Sequence, residues 1–147
     1  MNLIDFIQES NRIEGTLTYP SDTEIEAYVT FLSLKDVPTI QDLRRFVEVI
    51  QPDAQFRNMV SVPNVRVGRH IAPTSGPDIR SALFKILCYA SGYGPYRTHC
   101  EYLTLHPFTD GNGRSARVLW LWMMGGAPRG FLHQFYYQSL DASDGRK

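Results

Sequence analysis

Apolar residues return at helical spacing along most of the chain. Ile25, Tyr28, Val29 and Leu32 recur at i, i+3, i+4 and i+7, and Ser21 with Glu24 sets a capping-box spacing ahead of them, which predicts a helix from about 21 to 35. Thr39 with Asp42 repeats that start signal before Leu43, Phe46, Val47 and Ile50, and Pro52 stops the segment. Pro77 reads as a first-turn proline before Ile79, Leu83, Ile86, Leu87 and Ala90, with Gly92 and Gly94 beyond the end. Pro95 opens another helix through Leu105. A further one spans 115 to 124, carrying Val118, Leu119, Leu121 and Trp122, and after the turn at GGAP a last helix is expected over roughly 129 to 140. Only 64–72, NVRVGRHIA, alternates apolar and polar residues around a glycine, which suits a small exposed hairpin turning near Gly68 and Arg69. The chain therefore reads as mostly α with one hairpin. It shows no repeats, low-complexity tracts or linkers, so 1–147 is expected to be a single domain.

Composition changes this picture mainly by exclusion. With 147 residues, 43% hydrophobic and 20% charged, the chain resembles an ordinary globular domain with room for its own core. Fifteen basic residues balance fifteen acidic ones, so there is no general basic surface and neither nucleic acid nor a membrane is expected as a partner. The longest apolar run, Val118 to Met124, is too short to cross a bilayer. MNLIDFIQES carries Asp5 and no early Lys or Arg, unlike a signal peptide. Cys88 and Cys100 lack a CxxC spacing and read as buried thiols in a reducing compartment, which makes the cytoplasm the expected location. Of the basic residues 12 are Arg, the side chain that grips phosphates and carboxylates with a planar fork.

The chemistry concentrates in 106–117, HPFTDGNGRSAR. Gly111 and Gly113 flank Asn112 just before a helical pattern, so successive backbone N–H groups can face an anion at a helix N-terminus. Arg114 and Arg117, three apart on that helix, can face one ligand, and two guanidiniums with a glycine nest suit a polyphosphate. Asp110 offers a hard oxygen where a phosphate-bound Mg²⁺ would need one. His106 is the nearby side chain able to take a proton at neutral pH. Phe108 reads as an apolar plug pinning the loop to the core. Taken singly, a GxG turn, a lone His and two arginines on a helix face each have a bland structural explanation; it is their crowding into twelve residues ahead of a helix that points to a site.

HPFTDGNGRSAR resembles the Fic signature HPFx(D/E)GNGRxxR at every specified position. PYRTHCEYLTLHPF is similar to the helix entering the Fic loop, NVRVGRHIAPTSGPDI to the family's flap hairpin, and FYYQSL to the segment whose Tyr lines the nucleotide pocket. The resemblance implies an all-α Fic fold, a helical bundle with a small β-hairpin flap, and transfer of AMP from ATP to a Tyr, Thr or Ser hydroxyl of a target protein. It implies His106 as general base, Asp110 as the Mg²⁺ ligand, and Gly111, Asn112 and Gly113 as the anion hole. Arg114 would contact phosphates, Arg117 would hold the γ-phosphate, and Tyr136 would stack on adenine. The flap, Val65, Arg66, Val67, Gly68, Arg69, His70, Ile71 and Ala72, would take the target segment as an added strand.

SNRIEG resembles the family's inhibitory motif (S/T)xxxE(G/N), with Ser10, Glu14 and Gly15 in place, so that residues 1–15 would form an inhibitory helix whose Glu14 occupies Arg117. The same residues also suit a plain helix end with Gly15 beyond it. Other functions stay open: removal of AMP with Glu14 aligning a water, or a non-enzymatic nucleotide-dependent interaction module. Two more are disfavoured. The Doc kinases typically carry Lys where Gly113 stands, and a zinc hydrolase built on His70, His99, His106 and Asp110 lacks ligand spacing on one helix.

Overall fold

The computed structural model describes residues 2–126. Helix α1 (Leu3–Ile13) starts from a capping box in which Asn2 Oδ1 accepts from Asp5 N at 2.8 Å and Asp5 Oδ2 accepts in return from Asn2 N. Helix α2 (Asp22–Leu32) begins where Ser21 Oγ accepts from Glu24 N, as the spacing predicts. It ends before the expected position 35, because Ser33 Oγ turns back onto Val29 O at 2.6 Å and Leu34 N reaches only Phe31 O, tightening the last turn. Helix α3 (Ile40–Ile50) has a complete capping box between Thr39 and Asp42.

Helix α4 (Pro77–Cys88) carries Pro77 in its first turn. Helix α5 (Ala90–Leu105) starts before Pro95 but kinks at Gly94 (φ 80°, ψ 168°), since the residue preceding a proline is pushed out of the helical region. Helix α6 (Asn112–Met123) begins three residues before the expected 115; Gly111, in the left-handed conformation at φ 77°, turns the chain directly into it. Strands β1 (Arg66–Val67) and β2 (His70–Ile71) form the hairpin around Gly68, pairing Arg66 with Ile71 and Val67 with His70.

Helix α6 is the hub, packed on α5, α2, α1 and α3 with Ala116, Val118, Leu119 and Leu121 buried. Phe6 of α1, Tyr28 of α2 and Phe46 of α3 meet edge to face, with centroids 6.3 and 4.9 Å apart, so α1 is part of the core. Trp120 and Trp122 pack half-buried on this core, and Trp122 Nε1 donates to Leu34 O at 2.8 Å. Among the described residues, six helices and one two-stranded hairpin make the expected all-α fold, a helical bundle with a small β-hairpin. The two cysteines are free thiols, but neither is buried: Cys100 is half-buried, and Cys88 is exposed because it lies in the last turn of α4 on the side away from the core. No helix among the described residues is long and apolar enough to cross a membrane. The expected helix over 129–140 and Tyr136 lie outside the described residues.

Candidate functional site

The loop 106–111 is held from below. Phe108, 2% exposed, packs its ring 5.4 Å from that of Phe56, which confirms the plug. The backbone pairs on either side: Arg57 N donates to Pro107 O and Thr109 N to Gln55 O, both at 2.9 Å, while Gln55 N donates to Thr109 Oγ1. Asn112 closes the loop with its side chain, accepting from Phe108 N at 3.0 Å and donating to Phe108 O at 2.7 Å. Its amide group thus serves as a clasp, leaving only its backbone N–H for a ligand. Of the three amides expected at the anion hole, that of Gly111 is taken by Asp110 Oδ1 at 2.7 Å. The amides of Asn112 and Gly113 belong to the first turn of α6, which has no side-chain cap and leaves such donors without a helical partner.

His106 caps the other side, at the C-terminus of α5, and is the one non-glycine residue with positive φ (49°) among the described residues. Its Nδ1 bonds to Leu103 O; since a carbonyl can only accept, Nδ1 carries the hydrogen and the neutral ring keeps its lone pair on Nε2. Burial holds the imidazole below its ordinary value; the Leu103 bond opposes this, the charges of His70 and Arg57 reinforce it, and Glu14 opposes it. The neutral ring, with its lone pair on Nε2, is thereby favoured near pH 7. His70 of the flap lies beside it, ring centroids 6.0 Å apart, and donates Nε2–H to Thr104 O at 2.7 Å. This contact ties the hairpin to the end of α5. Arg66, Val67, Gly68, Arg69 and Ile71 are exposed, whereas Ala72, whose N bonds Val65 O, is buried, so the accessible edge ends at Ile71.

The two arginines do not converge. Arg114, 9% exposed, turns to the end of α3, where it donates to Gln51 Oε1 at 2.5 Å and Ile50 O at 3.3 Å, while its buried Nε has no partner. Arg117, 2% exposed, turns to α1: Nε donates to Ser10 Oγ at 2.7 Å, Nη2 to Ser10 O at 3.1 Å and to Glu14 Oε2 at 2.6 Å. Glu14 Oε2 presses so closely on Gly113 that a Cβ there would collide with it. The loop's glycine thus admits an oxyanion against the backbone, and that oxyanion is the chain's own.

SNRIEG makes both a plain helix end and the Glu14 contact with Arg117. Gly15 (φ 85°) ends α1 with Thr16 N on Asn11 O and Gly15 N on Arg12 O, a Schellman closure, and this turn delivers Glu14 to Arg117. Asn11 Nδ2 donates to Glu24 Oε2 at 3.0 Å and fixes the end of α1 to the start of α2. His99, buried behind the arginine, is pushed down to about 3 by burial and then by the charge of Arg117. Sequence reading missed His99 in this place, Gln51 as the holder of Arg114, and Arg57 under the loop. Their partners are mainly backbone carbonyls or distant helices, which leave no local spacing to read.

A protein-family model described as Fic/DOC family matches residues 96–124, from within α5 through the loop to the end of α6, and supports a place in the Fic family. No curated protein matches the chain.

Proposed function

We propose that this protein transfers AMP from ATP to a Tyr, Thr or Ser hydroxyl of a target protein, and that α1 holds it in a resting state. The observation that carries this reading is the Glu14 carboxylate, seated on Gly113 and paired with Arg117 at 2.6 Å. A site that takes a carboxylate between a helix-start glycine and a buried guanidinium suits a phosphate equally well. With Glu14 displaced, Arg117 would take the γ-phosphate, and Arg114, on exchanging Gln51 for ligand, would add a second cation. The amides of Asn112 and Gly113 would support phosphate oxygens.

In the transfer the target hydroxyl oxygen bonds to the α-phosphorus, the bond to the β-phosphate oxygen breaks, pyrophosphate leaves, and His106 Nε2 takes the hydroxyl proton. Positioning and charge neutralisation supply most of the rate gain in such reactions. Asp110 is exposed, with Oδ1 on Gly111 N and Oδ2 without a hydrogen-bond partner among the described residues, which fits Mg²⁺, an ion that takes one or two carboxylates with phosphate and water. The ion would neutralise charge on the phosphates. The target strand would add to the exposed edge of the flap over Arg66–Ile71.

Glu14→Gly protein incubated with Mg²⁺, lysate and either α- or γ-labelled ATP tests the reading. Label from the α position on protein, and none from γ, is the expected result. Transfer of γ label would indicate a kinase, and bound nucleotide without transfer an interaction module; either overturns the proposal. Offering a modified target to the wild-type chain separates removal of AMP, in which Glu14 would align water.

A further inference from the structure

Arg57 is fully buried, at 0% exposure, in the segment between α3 and β1. An arginine is rarely found there unless its donors are all met, because a buried unpaired charge is very costly. Here every arm of the guanidinium finds a neutral oxygen. Nε donates to His106 O at 2.6 Å, Nη2 to Leu105 O at 2.7 Å, and Nη1 to Pro73 O at 2.7 Å and Ser75 Oγ at 3.1 Å. Two of these acceptors are the carbonyls of Leu105, the last residue of α5, and of His106, which caps it; they lie at the negative end of the helix and lack helical partners. His70 takes the carbonyl before them, on Thr104. The other two acceptors lie on the chain leaving the flap.

We infer that Arg57 is a positioning residue: it fixes the carbonyl of His106, holds that residue in its left-handed backbone conformation, and ties the imidazole to the segment that returns from the flap. The inference rests on His106 being the base of the proposed reaction. Its logic is geometric. A left-handed residue without a glycine's freedom persists only where its surroundings over-determine it, and the His106 backbone is bound on both sides, by Tyr102 O on its N–H and Arg57 on its carbonyl. Because one guanidinium also grips Pro73 and Ser75, a target strand that shifts the flap moves the same clamp that orients the base. Lys cannot replace this, since it offers one compact charge in place of a planar fork.

The test compares Arg57→Lys and Arg57→Met, each in the Glu14→Gly background. It measures ATP affinity by equilibrium dialysis, kcat by α-label transfer, folded fraction by circular dichroism, and the His106 Cα and Cβ shifts by NMR. Expected are an ATP Kd within about threefold of the parent and a kcat per folded molecule about tenfold lower for Lys and about 100-fold lower for Met, with His106 shifts leaving left-handed values. An unchanged kcat per folded molecule with only a lower Tm would show a merely structural arginine and overturn the inference. If Glu14→Gly itself transfers no label, the functional reading fails, and the His106 shifts still decide the clamp: movement in folded Arg57→Lys supports it and unmoved shifts overturn it.

Discussion

The contact between Glu14 and Arg117 allows charge to be separated from bulk. Arg117 is 2% exposed and Glu14 40%, so the pair lies between a buried one, whose breaking costs about 3–5 kcal/mol, and a surface one worth under about 1 kcal/mol. Discounted for solvent on the Glu14 side, the contact is worth about 1.5–2 kcal/mol, or about ten- to thirtyfold in the population of the productive ATP pose. Glu14→Gly removes both charge and bulk and should raise transfer by about that factor. Glu14→Gln keeps an oxygen for Arg117 and stays over Gly113 but loses the charge, so about fivefold is expected. Initial rates of α-label incorporation over an ATP titration measure both. A Gln variant faster than Gly, or two variants both within about twofold of wild type, would refute competition between carboxylate and phosphate as the resting mechanism.

Other expectations follow from the same geometry. His106→Ala in the Glu14→Gly background should abolish label transfer while ATP still binds in equilibrium dialysis; retained turnover would remove His106 as base. The acid limb of the transfer rate should fall below the ordinary imidazole value of about 6.5, because burial disfavours the protonated ring; a limb at or above that value contradicts it. His99 titrates near 3 folded and near 6.5 unfolded, so the unfolded chain binds the extra proton between these values and stability falls with pH in that window. About 2 kcal/mol should be lost between pH 7 and pH 5, with His106 adding in the same direction, and His99→Gln should flatten the pH dependence of the urea midpoint. Deleting residues 1–15 should lower Tm sharply rather than activate, since Phe6 and Ile7 are fully buried and their loss costs about 5 kcal/mol or more; a stable, highly active truncation would contradict this.

Local devices were open to sequence reading because they join residues three or four apart. The capping residues Ser21 and Thr39, the Gly68 turn and the Phe108 plug all lie where residue types and spacing put them. The pairing of Glu14 with Arg117 followed from a family resemblance; spacing alone could not connect residues a hundred positions apart. What stayed hidden depends on packing between helices. Arg114 was expected beside Arg117, yet the end of α3 offers it Ile50 O and Gln51 Oε1, acceptors that exist only once α3 and α6 are docked. Arg57 binds mostly carbonyls, which every residue carries, so no pattern of side chains announces it. The early start of α6 is not legible in the sequence because it depends on the Asn112 side chain folding back to clasp Phe108, a role that the GNG pattern does not announce.

In the proposed reading α1 is scaffold and brake together, and the two roles separate at the level of atoms. Among its bonds, Arg117 makes two to Ser10 and one to Glu14. The Ser10 bonds are buried, lie within the helix that supplies Phe6 and Ile7 to the core, and aim the guanidinium toward Gly113. Of these three, the bond to Glu14 is the one that would compete with phosphate. Glu14 sits at the helix end and is the most exposed member of the set, so a side-chain rotation would take it from the site without any turn of α1 unwinding. Release therefore needs the energy of one half-exposed ion pair, while the helix continues to hold Arg117 in place for ATP. A brake that required α1 to leave would dismantle the arginine's own support. The position of Glu14, one residue before a left-handed glycine at the end of a core helix, thus permits control without loss of the fold.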